Sequence, residues 1–313
     1  MDDNLKVFSC GANTILAEEI CNHIGIPLSQ LDISRFSNDN LFVQVQESVR
    51  EKDVFVIQSL THPASDHIMA LMLTLDALRS ASARRITAVI PYYSYARSDK
   101  KDAPRISIAG RLIADLLKTA GADRVLTMDL HADSVHGFFS MPVDHLTAVP
   151  TICDYFARSL DLSQVVVVAT DAGGAKRAGK FAERLKTSMA IIDKRRISDS
   201  DIKQGLVVGN VNGKNAIVFD DEISTGSTLV ATVQTLKKAG IGKIYVGATH
   251  PVLCKDAAAN LKASSITEIV VTNTVHIPEE KRFQKLTVLS TGYLFSQAIL
   301  RIHSGESISA LFT

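Results

Sequence analysis

The sequence predicts an α/β protein with mostly parallel sheets flanked by helices, and three observations carry that prediction. Short β-branched runs recur along the 313 residues, each separated from the next by about one helix's length. The runs are continuously apolar rather than alternating, as expected of strands covered on both faces in a parallel sheet. A unit of helix end, turn and strand also repeats, as SASARRITAVIPY (80–92), KTAGADRVLTMDLH (118–131) and KKAGIGKIYVGATH (237–250). The repetition supports two similar halves, but any α/β protein can reuse such a unit.

The predicted strands are 54–58, 86–91, 125–128, 165–169, 216–219, 244–248, 269–272 and 286–289. Between the first two, Ile68, Leu71, Met72, Leu75 and Leu78 recur at helical spacing and define one apolar face over 66–80. Leu229, Val233 and Leu236 mark a second such face. Gly121 and Gly240 stand where a helix C-cap glycine belongs. The Pro-flanked stretch 142–150 suggests a hinge. The expected domains are 1–147, joined by a returning tail 304–313, and 148–303.

Composition narrows the function classes. Of the residues 46% are hydrophobic and 21% charged, and 34 Lys+Arg against 33 Asp+Glu leave a net charge of +1. That balance argues against bulk binding of nucleic acid or a membrane surface, which needs a basic excess, but allows a local site for a phosphorylated small molecule. Cys10, Cys21, Cys153 and Cys254 form no CxxC pair, which suggests a reducing compartment. The N-terminus has no basic-then-apolar signal pattern, and the expectation is a soluble cytoplasmic protein.

Polar residues gather just after the predicted strands, where open parallel sheets bind ligands. Residues 92–97 (YYSYAR), 129–131 (DLH), 171–177 (DAGGAKR) and 220–228 (DDEISTGST) all follow such runs. In the last, an apolar strand meets two acids, a small-residue loop and a helix that starts near Ser227 or Thr228. Free N–H groups at a helix start, with the positive end of its dipole, bind anions. Thr225, Ser227 and Thr228 add hydroxyl donors, and Gly226 allows close backbone approach. Asp220 and Asp221 suit sugar hydroxyls rather than phosphate, so a sugar phosphate satisfies both ends. The plainer alternative is an acidic turn with an N-capping Ser or Thr.

The 220–228 loop resembles the phosphoribosyl-binding signature of the type I phosphoribosyltransferase fold. Nearly the whole chain resembles one family of that fold, the ribose-phosphate pyrophosphokinases. The matching stretches include RFSN (35–38), ESVR (47–50), TMDLHA (127–132), DAGGAKR (171–177), IIDKRR (191–196), THPVL (249–253) and GESISALF (305–312). The resemblance implies two Rossmann-like domains, with ribose 5-phosphate bound by Asp220, Asp221, Ser224, Thr225, Gly226, Ser227 and Thr228. It implies diphosphoryl transfer from ATP to the anomeric hydroxyl, with Lys194 and Arg196 as catalytic cations and Mg²⁺ held by His131 and Asp171, near Asp129. Phe36, Asn38, Asp39, Asn40, Arg97, Ser98 and His131 are the implied ATP contacts. Ser48, Arg50, Arg105, Ser307 and Ser309 lie in segments like those around a phosphate or nucleotide effector site. Dimers assembling to a homohexamer are expected on the same ground.

The sequence departs from the family pattern in several places. Ser224 stands where the loop commonly has a third acid, and Glu222 replaces an apolar residue. Asn40 takes the place of a common Glu, and an amide can donate where a carboxylate only accepts. Ser98 replaces the Gln after YAR, and 109–111 reads Ala-Gly-Arg instead of Ser/Thr-Ala-Lys. Ser140 replaces an Asp after GFF. Two rival readings therefore stand beside catalysis: a non-catalytic or altered-substrate regulatory subunit of a pyrophosphokinase complex, and a phosphoribosyltransferase that consumes the product.

Overall fold

The computed structural model describes residues 4–193 and 206–312. The chain divides into two compact units, one of 1–147, 274–276 and 290–313, the other of 148–273 and 277–289.

Unit 1 opens with β1 (Leu5–Ser9) and α1 (Thr14–Ile24), then a hairpin of β2 (Leu31–Arg35) and β3 (Leu41–Val45). It continues through β4 (Asp53–Ile57), α2 (Ala64–Ser80), β5 (Arg85–Ile90), α3 (Ala109–Ala120), β6 (Arg124–Met128) and β7 (Val143–Leu146). The sheet runs β1-β4-β5-β6-β7, with every neighbouring pair parallel. Val54, Val56, Ile86, Ile90 and Val125 enter its core from the strands, and Leu71, Leu75 and Leu78 from the predicted face of α2. Ile68 and Met72 pack at the edge of that core.

Unit 2 contains α4 (Val149–Ser159), β8 (Val165–Ala169), α5 (Ala175–Leu185), β9 (Ser188–Asp193), β10 (Leu206–Val208) and β11 (Asn215–Glu222). After these come α6 (Ser227–Lys238), β12 (Ile244–His250), α7 (Ala257–Ala263), β13 (Glu268–Thr272) and β14 (Leu286–Leu289). The strand order is β10-β9-β8-β11-β12-β13-β14, parallel except for the edge pair β9–β10. Every residue of β8 is buried, which explains its unbroken valine run.

The final helix, Gly292–Ser304, differs from expectation. The sequence assigned only 304–313 to the first domain, whereas Ser290–Thr313 belongs to unit 1. The reason lies in side chains far apart in sequence. Asp53, fully buried, accepts from Arg85 Nε at 2.8 Å and Nη2 at 2.5 Å. His303 Nδ1 lies 2.7 Å from the same carboxylate, and Arg85 also donates to the Ile302 carbonyl at 2.8 Å. A buried carboxylate needs this many partners, so the end of the helix is fixed to β4 and β5.

Candidate active site

The acid pair of the 220–228 loop is part of β11, which runs to Glu222 and so extends past the predicted end at 219. This places Asp220 and Asp221 at the carboxyl end of the sheet. Asp221 is buried, with 3% of its surface exposed. Arg177 Nη1, from the first turns of α5, donates to Asp220 Oδ1 at 3.0 Å and to Asp221 Oδ1 at 2.5 Å. Thr170 Oγ1, just beyond β8, donates to Asp220 Oδ2 at 3.2 Å. Burial, and then the neighbouring Asp221 carboxyl, pushes Asp220 up to about 7, while the Arg177 guanidinium works in the opposite direction.

The first half of the loop is held against the chain that follows β12. Ile223 N donates to His250 O, Leu253 N to Ile223 O and Cys254 N to Ser224 O, each at 2.9 Å. The loop then turns at Gly226, whose φ of 72° lies in the left-handed region. A Cβ there would also stand 3.2 Å from Leu261 Cγ. Gly226 is therefore required by the turn and by α7 beneath it, a packing reason the sequence did not show. Helix α6 starts at Ser227, as its sequence suggests, with no side-chain cap. Its first-turn N–H groups have no intrahelical partner, and Thr225 and Ser227, 2.9 Å apart at their hydroxyls, are exposed beside them. A buried acid pair followed by an uncapped helix start can take sugar hydroxyls at one end and a phosphate at the other.

Asp171 sits in the β8–α5 turn, partly exposed, and its Oδ1 accepts from Gly174 N at 2.9 Å. In unit 1, Asp129 follows β6 with φ 39° and donates its N–H to Leu146 O at 3.0 Å. Leu130 N donates to His145 Nε2 at 2.9 Å, and the half-buried His131 comes next. Arg97, exposed, ends a 3-10 turn at Ser94–Arg97, and Ser98 follows it. Phe36, Asn38, Asp39 and Asn40 form the exposed tip of the β2–β3 hairpin, closed by Phe36 N to Asn40 O at 2.9 Å. Arg35 braces the tip with 2.7 Å ion pairs to Asp39 and Asp66. Phe36 is 55% exposed, with its ring centroid 5.4 Å from that of Phe42. Taken without the resemblance, Phe36 would be read as a core residue, and the structure contradicts that.

Lys194 and Arg196 lie outside the described residues. Ser48, Arg50, Arg105, Ser307 and Ser309 are all exposed residues of unit 1, and the Ser307 carbonyl accepts from Arg301 at 3.2 Å. His131 belongs to unit 1 and Asp171 to unit 2. The structure brings Asp220 and Asp221 together through Arg177, which the sequence did not single out. A signal was present, since Arg177 closes the DAGGAKR segment one turn into the helix after a strand.

Comparisons with known proteins identify the family and the fold. Residues 5–121 match the N-terminal domain of ribose phosphate pyrophosphokinase, and 202–313 match the phosphoribosyl synthetase-associated domain. A ribose-phosphate pyrophosphokinase of Deinococcus radiodurans is 50% identical over 99% of this chain and 98% of its own length. One from Bacillus cereus is 45% identical over 100% of this chain and 98% of its own length. The crystal structure of phosphoribosylpyrophosphate synthetase from Mycobacterium smegmatis superposes with a TM-score of 0.91 at 39% identity, covering 97% of this chain and 100% of that one. With full-length relatives at this identity and a matching two-unit α/β fold, the chain belongs to the ribose-phosphate pyrophosphokinase family.

Proposed function

We propose that this chain transfers diphosphate from ATP to the anomeric hydroxyl of ribose 5-phosphate, releasing AMP and phosphoribosyl pyrophosphate for nucleotide biosynthesis. The observation that carries the acceptor assignment is the Arg177-bridged acid pair set before the uncapped start of α6. Asp220 and Asp221 accept hydrogen bonds from the ribose hydroxyls. The N–H groups of Ser227 and Thr228, with the hydroxyls of Thr225, Ser227 and Thr228, take the 5-phosphate. Ser224 adds a hydroxyl, and Gly226 gives the turn its shape. The anomeric oxygen attacks the β-phosphorus, and the bond between that phosphorus and the oxygen bridging to the α-phosphorus breaks. Such transfer depends on in-line positioning and on cations facing the phosphoryl oxygens. Lys194 and Arg196 supply those cations, and Arg97 contacts the ATP phosphates.

His131 in unit 1 and Asp171 in unit 2 are each proposed to contact magnesium. Among the described residues no group of three or more His, Cys, Asp or Glu could cage a metal. Mg²⁺ needs no such cage, because it binds through one or two protein groups together with substrate phosphates and water. The partly exposed Asp171 carboxylate fits that role. Bound magnesium would neutralise charge on the ATP phosphates. Phe36 stacks on adenine, and Asn38, Asp39, Asn40 and Ser98 complete the nucleotide segments. Ser48, Arg50, Arg105, Ser307 and Ser309 would hold a phosphate or nucleotide effector, in a protein that assembles as dimers and then a hexamer.

No helix of the described residues is long and apolar enough to cross a membrane. Cys10, Cys21, Cys153 and Cys254 are free thiols, which supports a cytoplasmic setting. Nothing in the fold or the relatives favours the non-catalytic alternative. The test is to incubate the purified protein with Mg-ATP and ribose 5-phosphate while following AMP and phosphoribosyl pyrophosphate. Equal release of both is expected, and ligand binding without turnover would overturn the assignment.

A further inference from the structure

Two of the departures from the family pattern, Ser98 and Gly110, touch each other. Ser98 Oγ donates to Ser107 O at 3.2 Å and accepts from Ala109 N at 3.1 Å. Gly110 N donates to the Ser98 carbonyl at 3.1 Å, and Ser98 N donates to Tyr95 O at 3.0 Å. Ala109 begins α3, and the residue before it, Ile108, offers no capping side chain. Ser98 therefore caps, from across a loop, a helix that its own sequence leaves uncapped. The same knot includes the buried Tyr93, whose hydroxyl donates to Gly110 O at 2.8 Å. It extends to Ser134, which donates to Asp99 Oδ2 at 3.0 Å.

The fit depends on small residues at both positions. A Cβ at 110 would stand 2.9 Å from Tyr95 O and 3.3 Å from Ser98 O, too close to backbone for either strand of the knot to keep its place. At 98, the short serine side chain sets its oxygen within hydrogen-bond distance of both Ser107 O and Ala109 N. The two departures are complementary: Gly110 lets the chain approach, and Ser98 bonds what has approached. Together they close the base of the exposed 99–106 loop, immediately beside Arg97.

We propose that Ser98 is a positioning residue for the nucleotide: with Gly110 it closes the base of the 99–106 loop and so fixes where Arg97 meets the ATP phosphates. In this role Ser98 acts through the backbone it holds. The inference rests on the assignment of Arg97 to ATP made above, and the test separates the two.

The experiment compares the full-length protein with Ser98→Ala, Gly110→Ala and Arg97→Ala. Trypsin reports on the loop, because Lys100, Lys101 and Arg105 are exposed within it, and steady-state kinetics report on each substrate. Ser98→Ala and Gly110→Ala are expected to speed cleavage at these sites roughly fivefold. They should raise KM for ATP by a similar factor, about what one hydrogen bond contributes, while KM for ribose 5-phosphate moves less than about twofold. Unchanged cleavage in Ser98→Ala would overturn the closure. Equal rises in both KM values would overturn the positioning role, because a general structural defect affects both substrates. Faster cleavage with an unmoved KM for ATP would also overturn it. In that case, a raised KM for ATP in Arg97→Ala would leave the Arg97 assignment standing, and an unmoved one would remove that as well.

Discussion

Replacing Arg177 with Met keeps the side-chain stem and removes the charge that serves two carboxylates at once. Arg177 Nη1 lies 3.0 Å from Asp220 and 2.5 Å from Asp221, whose side chain is only 4% exposed. A unit charge pair at 4 Å is worth about 4 kcal/mol at the effective dielectric found near protein surfaces. Breaking a buried pair from one side costs about 3–5 kcal/mol, because a desolvated charge is left behind. The Arg177 and Asp220 side chains keep 26% and 22% exposure, so water screens part of this and the expected loss is ~2–3 kcal/mol at neutral pH. The sign with pH follows from Asp220, raised from 3.8 to about 7 in the folded protein. A raised folded value means that stability is fully present below pH 3.8 and is lost as pH rises through about 7. Arg177 opposes that rise, so the variant pushes Asp220 higher still. Its stability deficit should grow as pH rises through about 7 and shrink below it, as Asp220 becomes neutral. Asp220 accepts sugar hydroxyls best as a carboxylate, so KM for ribose 5-phosphate should rise about tenfold at pH 7 and recover partly at pH 9. Urea unfolding at pH 5, 7 and 8.5, with KM measured at pH 7 and 9, makes the check. A deficit that does not vary with pH, together with an unmoved KM, would refute the Arg177–acid reasoning.

Gly226→Ala combines a left-handed φ with a Cβ 3.2 Å from Leu261. It should cost ~1–2 kcal/mol in thermal unfolding and raise KM for ribose 5-phosphate. Adding Leu261→Ala would relieve the contact but not the φ, so the KM defect should persist. Lys194→Ala should lower kcat by at least ~10²-fold, the scale of losing one preorganised electrostatic contact; an unchanged kcat in AMP release would remove Lys194 from the chemistry. Phe36→Ala should raise KM for ATP by roughly tenfold, in line with about 1–3 kcal/mol per stacked base. Because Phe36 is exposed, the melting temperature should barely move, and a large drop would mark it as structural instead.

Much of this protein was legible in its sequence, because the decisive signals are local. The valine run of β8 and the apolar face of α2 reflect burial that repeats over a few residues, so periodicity found them. The strand end, turn and helix start within 220–228 were legible because acids, small residues and helix start follow one another directly. Strands such as β2, β3 and β10 escaped, because their residues are half-exposed or sit at an edge and carry no continuous apolar run. Gly121 and Gly240 take positive φ as expected, whereas in the first copy of the repeat, 80–92, Ser82 takes it at 65°, without any glycine to announce it. What only the tertiary structure decided are relations between distant residues. Arg177 meets Asp220 and Asp221 because β8 and β11 are neighbours in the sheet, though 165–169 and 215–222 are far apart in sequence. The final helix joins unit 1 because a fully buried Asp53 must find its partners in Arg85 and His303. Local chemistry is written in adjacent residues, but the partner of a buried charge is set by which strands pair, and that is fixed only when the chain has folded.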